Sequence, residues 1–393
     1  MRPNWAGMGS IKDFFSQFSY LTKSEGIGGR IKEKPEHFQV EEVVDDIFKG
    51  KKCVIFKIKK RGLETEEAVD KIAKAFGISR GKIGFAGNKD KDAVATQYIS
   101  VGLKENENIK EKIKDIKIKD VEIEFVGYGR RIKLGMLKGN RFKILVKVDD
   151  VGEALEKLKN ILKEIDEKGG FPNYYGEQRF GKEAINVLIG KLLLNKNFGE
   201  VFEYLKHTKY RKIVEYGYKK YKDYRKAIFS LPYTTFGLFI RAYQSYLFNK
   251  VLSRRIENGL PLNEAFEGDI VCKVKDGSPI RNRFFEVTKK NVTDVNKKLK
   301  EGKLMVTGAI FGINAKIADG IMGKIEREVL EEENINIQNF NLKKKEYGGR
   351  RELLMKPLEF DYEIDKKEKG ILFKFFLPRG CFATSLLREI MKN

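Results

Sequence analysis

The segment FAGNKDKDAVATQ, from Phe85 to Gln97, holds the residues of this chain best suited to chemistry. It places a carboxylate, Asp90, between two lysines, Lys89 and Lys91, shortly after a glycine. Because Gly, Asn, Asp and Lys are all common in loops, the same residues could form nothing more than a solvated turn. The rest of the chain decides between these two interpretations.

Few other side chains offer an alternative chemistry. The chain has two histidines, His37 and His207, and three cysteines, which are Cys53, Cys272 and Cys381. Widely separated cysteines indicate no disulfide framework and fit a reducing compartment. The histidines cannot build local Cys/His zinc motifs and give few candidates for acid–base catalysis. We therefore expect no metal site and a reaction that depends on carboxylates.

The composition indicates the class of protein and of partner. A chain of 393 residues, 41% hydrophobic and 11% aromatic, is long enough for two globular domains. A formal net charge of +23 favours a polyanionic partner such as nucleic acid, although an anionic membrane surface would also attract it. Because no apolar run of about 18 residues is present and the N-terminal residues do not resemble a signal peptide, we expect no membrane span and a cytoplasmic location.

The elements around Asp90 can be predicted from periodicity. Apolar residues alternate with lysines over Lys52–Lys60, the pattern of a half-buried strand. A helix is predicted from Thr65, as its N-cap, to Phe76. Strands are predicted over Lys82–Ala86 and Gln97–Val101. The Asp90 segment therefore lies in a loop between strands, near a sheet edge that can hold an active site rigidly.

The rest of the chain divides into further elements. Residues Arg130–Val148 are predicted to form two strands around a glycine-containing turn, and residues 152–166 an amphipathic helix. The glycine- and aromatic-rich stretch Gly169–Gly181 is interpreted as the start of a second domain. Residues Arg241–Arg255 are predicted to form a helix whose apolar stripe is core. The last forty residues return to a strand, a turn and a helix, and could rejoin the first sheet.

One motif suggests a different function. The sequence GEQRFGK, from Gly176 to Lys182, has the glycine and lysine spacing of a phosphate-binding loop. However, Glu183 follows where a Ser or Thr should hold magnesium, and no apolar strand precedes the loop. A nucleotide hydrolase is therefore a weak alternative, which predicts tight binding of ATP or GTP.

The Asp90 segment resembles the signature of the TruD family of pseudouridine synthases, which is roughly A-G-x-K-D-x-x-A-V-T-x-Q. One position departs from it, because the family threonine falls at Ala95 and this chain has Thr96 one place later. Further segments agree with the family in their order along the chain. They are RIKEKPEHFQVEE (Arg30–Glu42), GNRF (Gly139–Phe142), PNYYGEQRFG (Pro172–Gly181), QSYLFN (Gln244–Asn249), GGRREL (Gly348–Leu353) and LPRGCFATSLLREIMK (Leu377–Lys392). The resemblance thus spans nearly the whole chain.

The resemblance implies a fold and a function. The fold is α+β, with a pseudouridine-synthase-type mixed, largely antiparallel sheet and flanking helices. Residues 1–168 and 356–393 would form this catalytic domain, and residues 169–355 an inserted α/β TRUD domain. The implied enzyme is an isomerase without a cofactor, which detaches uracil from its ribose, turns the base and rejoins it through carbon. Its expected partner is tRNA, at uridine 13, and its oligomeric state is left open.

The resemblance also implies roles for individual residues. Asp90 matches the family's catalytic aspartate, and Lys32 matches a basic residue expected to favour its charged form, with Lys89 as the second candidate. Phe142 matches the aromatic residue that packs on the target base. Asn140 matches its polar companion, and the two side chains share one face of a strand because they lie two residues apart.

The remaining candidates are expected to bind substrate. Gln97 closes the Asp90 signature, and Arg179 is a candidate for contact with RNA phosphates, with Arg241, Arg350 and Arg351 as weaker ones. A non-catalytic RNA-binding protein on the same fold is the main alternative, and it would tolerate the loss of Asp90.

Overall fold

The structure, a computed structural model, describes residues 10–102, 116–343 and 345–393. The prediction that the N-terminal residues form no signal peptide concerns residues 1–9 among others, and these nine residues lie outside the described ranges. Contacts divide the chain into two units. The sheet unit comprises residues 25–160, 356–383 and 390–393, and the helical unit comprises residues up to 24, 161–355 and 384–389. The functional domains predicted from the sequence stay a prediction.

The described residues form strands and helices at the following positions. The strands are β1 (Phe38–Val44), β2 (Cys53–Arg61), β3 (Ile83–Phe85), β4 (Val94–Val101), β5 (Val121–Gly129), β6 (Leu137–Lys147), β7 (Phe171–Pro172), β8 (Ile270–Lys275), β9 (Ser278–Glu286), β10 (Leu304–Ile310), β11 (Gly349–Glu352), β12 (Leu354–Met355), β13 (Leu358–Asp365) and β14 (Gly370–Pro378). The helices are α1 (Ile11–Ser16), α2 (Thr65–Ala75), α3 (Val151–Glu167), α4 (Ile185–Leu194), α5 (Phe198–Leu205), α6 (Arg211–Tyr221), α7 (Tyr224–Phe229), α8 (Tyr233–Glu257), α9 (Val292–Lys300), α10 (Gly320–Glu332) and α11 (Ala383–Met391).

An eight-stranded sheet organises the sheet unit. Its order is β13-β14-β6-β1-β4-β2-β5, and β3 pairs with β4 beside this path. The β1–β4 pair is parallel, whereas the other pairs are antiparallel. Strands β13 and β14 come from the end of the chain, so the prediction that the tail rejoins the first sheet is confirmed. Helix α2 packs its Val69 and Ile72 against Phe56 and Ile58 of β2 and Ile99 of β4.

Three local predictions differ from the structure. Residues Arg130–Val148 contain one strand, β6, because the segment before it leaves the sheet and turns at Gly135, whose φ is +88° and whose amide donates to the Ala86 carbonyl at 2.7 Å. Helix α2 has Glu64 rather than Thr65 as its N-cap, without a side-chain capping bond. The Thr65 hydroxyl instead makes tertiary hydrogen bonds with Lys89 and Gln97. Strand β4 also begins earlier than predicted, at Val94, because it is paired on both sides.

The helical unit is built around the long helix α8. Tyr243, Tyr246, Leu247 and Val251 of this helix are buried, which confirms that the apolar stripe is core. Strands β11-β10-β8-β9 form a four-stranded antiparallel sheet in the same unit, and β12 pairs with β7. None of the helices in the described part of the chain combines the length and the apolar character needed to cross a membrane.

Ion pairs with little exposure to solvent lie inside the helical unit. The guanidinium of Arg255 contacts the Asp269 carboxylate at 2.8 Å, with both side chains 1% exposed. Burial alone would raise the pKa of Glu333, but Lys250 and Lys191 beside it lower the pKa to about 2. These two lysines lie 2.8 and 2.6 Å from the Glu333 carboxylate. Such pairs need partners with good geometry, because a lone buried charge is costly.

Candidate active site

Asp90 lies in the loop between β3 and β4, beside a lysine from a distant part of the chain. The Lys32 Nζ lies 2.8 Å from the Asp90 Oδ2, and the two side chains are 24% and 18% exposed. Lys32 has a φ of +61°, which is uncommon for a residue with a Cβ and costs about 1 kcal/mol or more. Its ammonium also lies 4.4 Å from the centre of the Phe38 ring. The carboxylate is thus partly open to solvent and held next to a cation.

A second lysine, which was not singled out from the sequence, fixes the backbone at Asp90. The Lys60 side chain is fully buried, and its Nζ donates to the backbone carbonyls of Leu63 and Asp90. Burial lowers the pKa of Lys60 to about 8, although the Asp90 charge opposes this change. The sequence does indicate that this position is buried, because residues alternate between the two faces of a strand and Lys60 falls on the same face of β2 as Val54, Phe56 and Ile58.

Lys89 belongs to a different ion pair from the one expected. Its Nζ contacts the Glu42 Oε2 at 2.6 Å and donates to the Asn140 Oδ1 at 3.0 Å. Glu42, a second residue that sequence reasoning missed, is buried and also accepts a hydrogen bond from the Tyr98 amide at 3.2 Å. Lys89 therefore connects the Asp90 loop to strands β1 and β6, while Lys32 is the cation at Asp90. The sequence gave no sign of this role for Glu42, because Glu41 and Glu42 are adjacent in β1 and look alike in the local pattern.

The Thr65 hydroxyl holds the loop that contains Asp90 through two hydrogen bonds. It accepts a hydrogen bond from the Lys89 backbone amide at 2.8 Å and donates to the Gln97 Oε1 at 3.0 Å. Gln97 is fully buried, and its Nε2 has no hydrogen-bond partner among the described residues. Ala95, which stands at the position of the family threonine, is also fully buried. The structure thus places Gln97 beneath the loop as a support for it.

An aromatic row connects Phe142 to the Lys32–Asp90 pair. The partly exposed Phe142 ring stacks on Phe375 of β14 with centroids 5.4 Å apart and an angle of 30°. Its edge meets Phe38 of β1 at 6.1 Å and 72°, and Phe38 is the ring that contacts Lys32. Asn140 lies two residues before Phe142 on β6. The sheet unit therefore brings together five of the predicted site residues, which are Asp90, Lys32, Lys89, Asn140 and Phe142.

The arginines expected to contact phosphates belong to the helical unit, and most are engaged there. The Arg179 Nε donates to the Ser245 Oγ at 3.0 Å, and burial lowers the pKa of Arg179. Arg350 and Arg351 are buried; Arg350 pairs with Glu326 at 2.8 Å, and the Arg351 guanidinium lies 4.1 Å from the centre of the Tyr175 ring. Arg241, with 41% of its side chain exposed, contacts Glu346 at 3.3 Å. Arg350 and Arg351 thus serve the interior of this unit.

The GEQRFGK segment does not have the geometry of a phosphate-binding loop. The GEQRFGK segment forms short 3-10 turns, and the Lys182 side chain is 92% exposed, which differs from a loop that wraps a phosphate at a helix start. Within residues 10–102, 116–343 and 345–393, no three His, Cys, Asp or Glu side chains gather into a group that could hold a metal ion.

Comparisons with known proteins agree with the fold. A family model described as tRNA pseudouridine synthase D (TruD) matches residues 15–212 and 203–390. A Thermococcus sibiricus protein named "Probable tRNA pseudouridine synthase D" is 46% identical, and the match covers 97% of this chain and 99% of the relative. A Pyrococcus abyssi protein with the same name is 46% identical, and the match covers 96% of this chain and 99% of the relative. A crystal structure of a TruD protein from Methanosarcina mazei matches with a TM-score of 0.77 at 31% identity and covers 98% of both chains.

The fold is that of the pseudouridine synthase class, with an α+β architecture and a mixed, largely antiparallel sheet. Because the family model and the relatives cover nearly the whole chain, this protein belongs to the TruD family. The predictions of family and fold class are confirmed.

Proposed function

We propose that this protein converts uridine to pseudouridine in tRNA, at uridine 13, with Asp90 as the nucleophile. The observation that carries the proposal is the Lys32–Asp90 contact of 2.8 Å, which sets a partly exposed carboxylate at the end of the aromatic row of the TruD fold. A carboxylate can form a covalent intermediate that divides one difficult step into two.

The proposed reaction needs no redox step and no outside reactant. The Asp90 carboxylate bonds to C1′ of the ribose while the C1′–N1 bond breaks and uracil leaves with the electron pair. Uracil turns, its C5 bonds to C1′, and the Asp90 carboxylate is released. The C5 proton is then lost and N1 gains a proton, so substrate and product are isomers. Lys32 holds the carboxylate in place, and Lys60 holds the backbone carbonyl of the same residue.

The target base has to leave the RNA stack before it can reach Asp90. Flipping a base costs a few kcal/mol, and stacking on an aromatic ring returns about 1–3 kcal/mol. Phe142 is suited to this task because its partly exposed ring is backed by Phe375 and flanked by Phe38. The aromatic row therefore supplies a rigid platform for a flat ligand.

Asn140 is suited to recognise uracil through one group only. Its Oδ1 accepts a hydrogen bond from the Lys89 ammonium at 3.0 Å. Because an ammonium can only donate, the atom facing Lys89 must be the amide oxygen, and the amide NH₂ is the group that remains for substrate. Uracil offers carbonyl acceptors to such a donor, whereas cytosine has an amino group at C4. We expect Asn140 to favour uridine over cytidine.

The test compares two neighbouring carboxylates. Asp90→Asn should abolish pseudouridine formation and leave tRNA affinity within a few-fold, because the substitution keeps shape and removes the nucleophile. The exposed Asp92 provides the matched control, and Asp92→Asn should have a much smaller effect. Primer extension after carbodiimide treatment locates the product in tRNA and tests position 13. Equal losses from the two substitutions, or full activity of Asp90→Asn, would contradict the role of Asp90. A wild-type protein that forms no pseudouridine and whose tRNA binding is unchanged in Asp90→Asn would favour a non-catalytic RNA-binding protein.

A further inference from the structure

The helical unit carries a basic and aromatic surface, formed by residues 206–226, that the proposed chemistry does not use. This segment includes nine Lys or Arg residues and two acidic residues, Glu215 and Asp223. The segment begins in the turn after α5, continues through α6 and ends within the first part of α7. Gly217 lets the two helices pack closely, since a Cβ at this position would lie 2.9 Å from the Ala227 Cα. The surface is thus part of a packed helical hairpin.

Most cations of this surface have no acidic partner. Lys206 pairs with Glu203 and Arg211 with Glu215, each at 2.8 Å. Asp223 caps α7 by accepting a hydrogen bond from the Lys226 backbone amide at 2.7 Å. In the described structure, the other seven cations make no ion pair with a carboxylate. They are Lys209, Lys212, Lys219, Lys220, Lys222, Arg225 and Lys226.

Exposed tyrosines lie among these cations. Tyr216, Tyr221 and Tyr224 are 69%, 43% and 40% exposed. The Lys220 Nζ lies 5.0 Å from the centre of the Tyr221 ring, and Tyr216 lies one helical turn before Lys220. Large exposed aromatic side chains are unfavourable in water, and unpaired cations repel one another. A ligand that is anionic and also carries flat, unstacked rings would relieve both costs.

We propose that residues 206–226 are an RNA-binding surface, which contacts the backbone of the substrate tRNA with its lysines and an unstacked base with Tyr216 or Tyr221. The identity of the RNA as tRNA rests on the proposed function. Single-stranded RNA is bound by positive charge along its backbone together with aromatic stacking of its bases. A membrane-binding helix would instead show Trp, Phe or Leu on its outer face, and none of the exposed residues of this segment is of these three types.

This surface is expected to act on binding and not on the chemical step, because it belongs to the helical unit and the candidate active site to the sheet unit. Substitutions in it should therefore raise KM and leave the single-turnover rate at saturating enzyme unchanged. Its contribution should also depend on salt, since each phosphate contact adds a slope of about −0.7 in log K against log salt for single strands.

The charge test uses two triple variants of equal charge change in the helical unit. One replaces Lys212, Lys219 and Lys220 of α6 by Ala, and the control replaces Lys297, Lys298 and Lys300 of α9, where Lys298 pairs with Asp294 at 2.6 Å. Both sets are exposed helix residues, so folding should be affected alike. Binding of a tRNA transcript is measured in the Asp90→Asn background over a salt series. The α6 variant should have a salt slope shallower by about 2 than that of the parent. Its loss of affinity relative to the parent should therefore shrink by roughly 16-fold for a fourfold rise in salt.

The aromatic test uses Tyr216→Ala, with Tyr216→Phe as the conservative variant and Tyr347→Ala as the control. Tyr347 is 56% exposed and lies in the same unit. Tyr216→Ala should weaken tRNA binding by roughly fivefold or more, while the other two variants stay within about twofold. Because the readout is binding without turnover, it remains valid if the protein forms no pseudouridine. Equal losses from the two triple variants would overturn the proposal. So would an unchanged tRNA affinity of the α6 variant together with a lost affinity for phosphatidylglycerol vesicles.

Discussion

Lys60 should make the stability of the sheet unit depend on pH in an unusual direction. Its pKa is lowered from 10.5 to about 8, chiefly by burial, and a difference of this size corresponds to about 3 kcal/mol. Below about pH 8 the lysine is charged in both the folded and the unfolded state, so folding carries the full cost of burying the ammonium. Between pH 8 and 10.5 the folded state loses its proton first, and the cost falls away.

The measurement compares wild type with Lys60→Met, in which this titration is absent. The free energy of unfolding of wild type should rise relative to the variant by up to about 3 kcal/mol between pH 7 and 10.5. Denaturant titration with hydrogen exchange on peptides of β1, β2 and β6 reports the unit that contains Lys60. Lys59→Met is the matched control, because the Lys59 side chain is 51% exposed and should give no such difference. A constant difference between wild type and Lys60→Met would refute the reasoning, since it would show that the bonds to the two carbonyls offset burial.

Three further substitutions test other parts of the structure. Phe142→Ala should weaken binding of a tRNA that contains the target uridine by about 1–3 kcal/mol and leave binding of an abasic counterpart unchanged; Phe142→Tyr should retain part of the activity. Equal losses with both RNAs and a lower melting temperature would show a packing role only. Glu333→Gln should remove about 3 kcal/mol of stability that wild type has in full above pH 4.5 and loses as the pH falls towards 2, as acid titration of the unfolding free energy measures. Arg255→Met should cost about 3–5 kcal/mol because it leaves Asp269 charged and buried, whereas Arg254→Met at a surface pair should cost no more than about 1 kcal/mol in the same denaturant assay.

Local pattern was sufficient to predict the elements around Asp90. The alternation in β2 and the apolar spacing of α2 depend on residues that are near in sequence, so both elements were expected close to their observed positions. Asp90 and Lys32 were identified through motifs of the family, and the structure brings them within 2.8 Å. Their separation of 58 residues could not be bridged by periodicity alone.

The supporting residues were missed because their roles depend on contacts between distant segments. Glu42 and Lys89 are 47 residues apart, and neither is unusual in its local sequence. Thr65 was expected to cap α2, but its hydroxyl is used by Lys89 and Gln97 because the Asp90 loop packs on the start of the helix. Lys60 lies on the apolar face of β2. A lysine side chain is usually exposed to solvent, whereas the alternation of residues along the strand indicated that this position is buried. A charged residue that falls on the apolar side of a strand next to a candidate catalytic motif therefore indicates a buried supporting role.

The order of the strands has a consequence for biosynthesis. Strand β6, which carries Asn140 and Phe142, pairs on one side with β14 from the end of the chain. A ribosome that adds 5–20 residues per second would release β6 on the order of tens of seconds before β14. During this interval Phe142 lacks the Phe375 ring that backs it in the finished sheet, and the edge of β6 is unpaired. Nascent chains should therefore be unable to modify RNA until β14 has been synthesised, and messages cut short before β14 should yield an inactive product that is prone to edge-to-edge association.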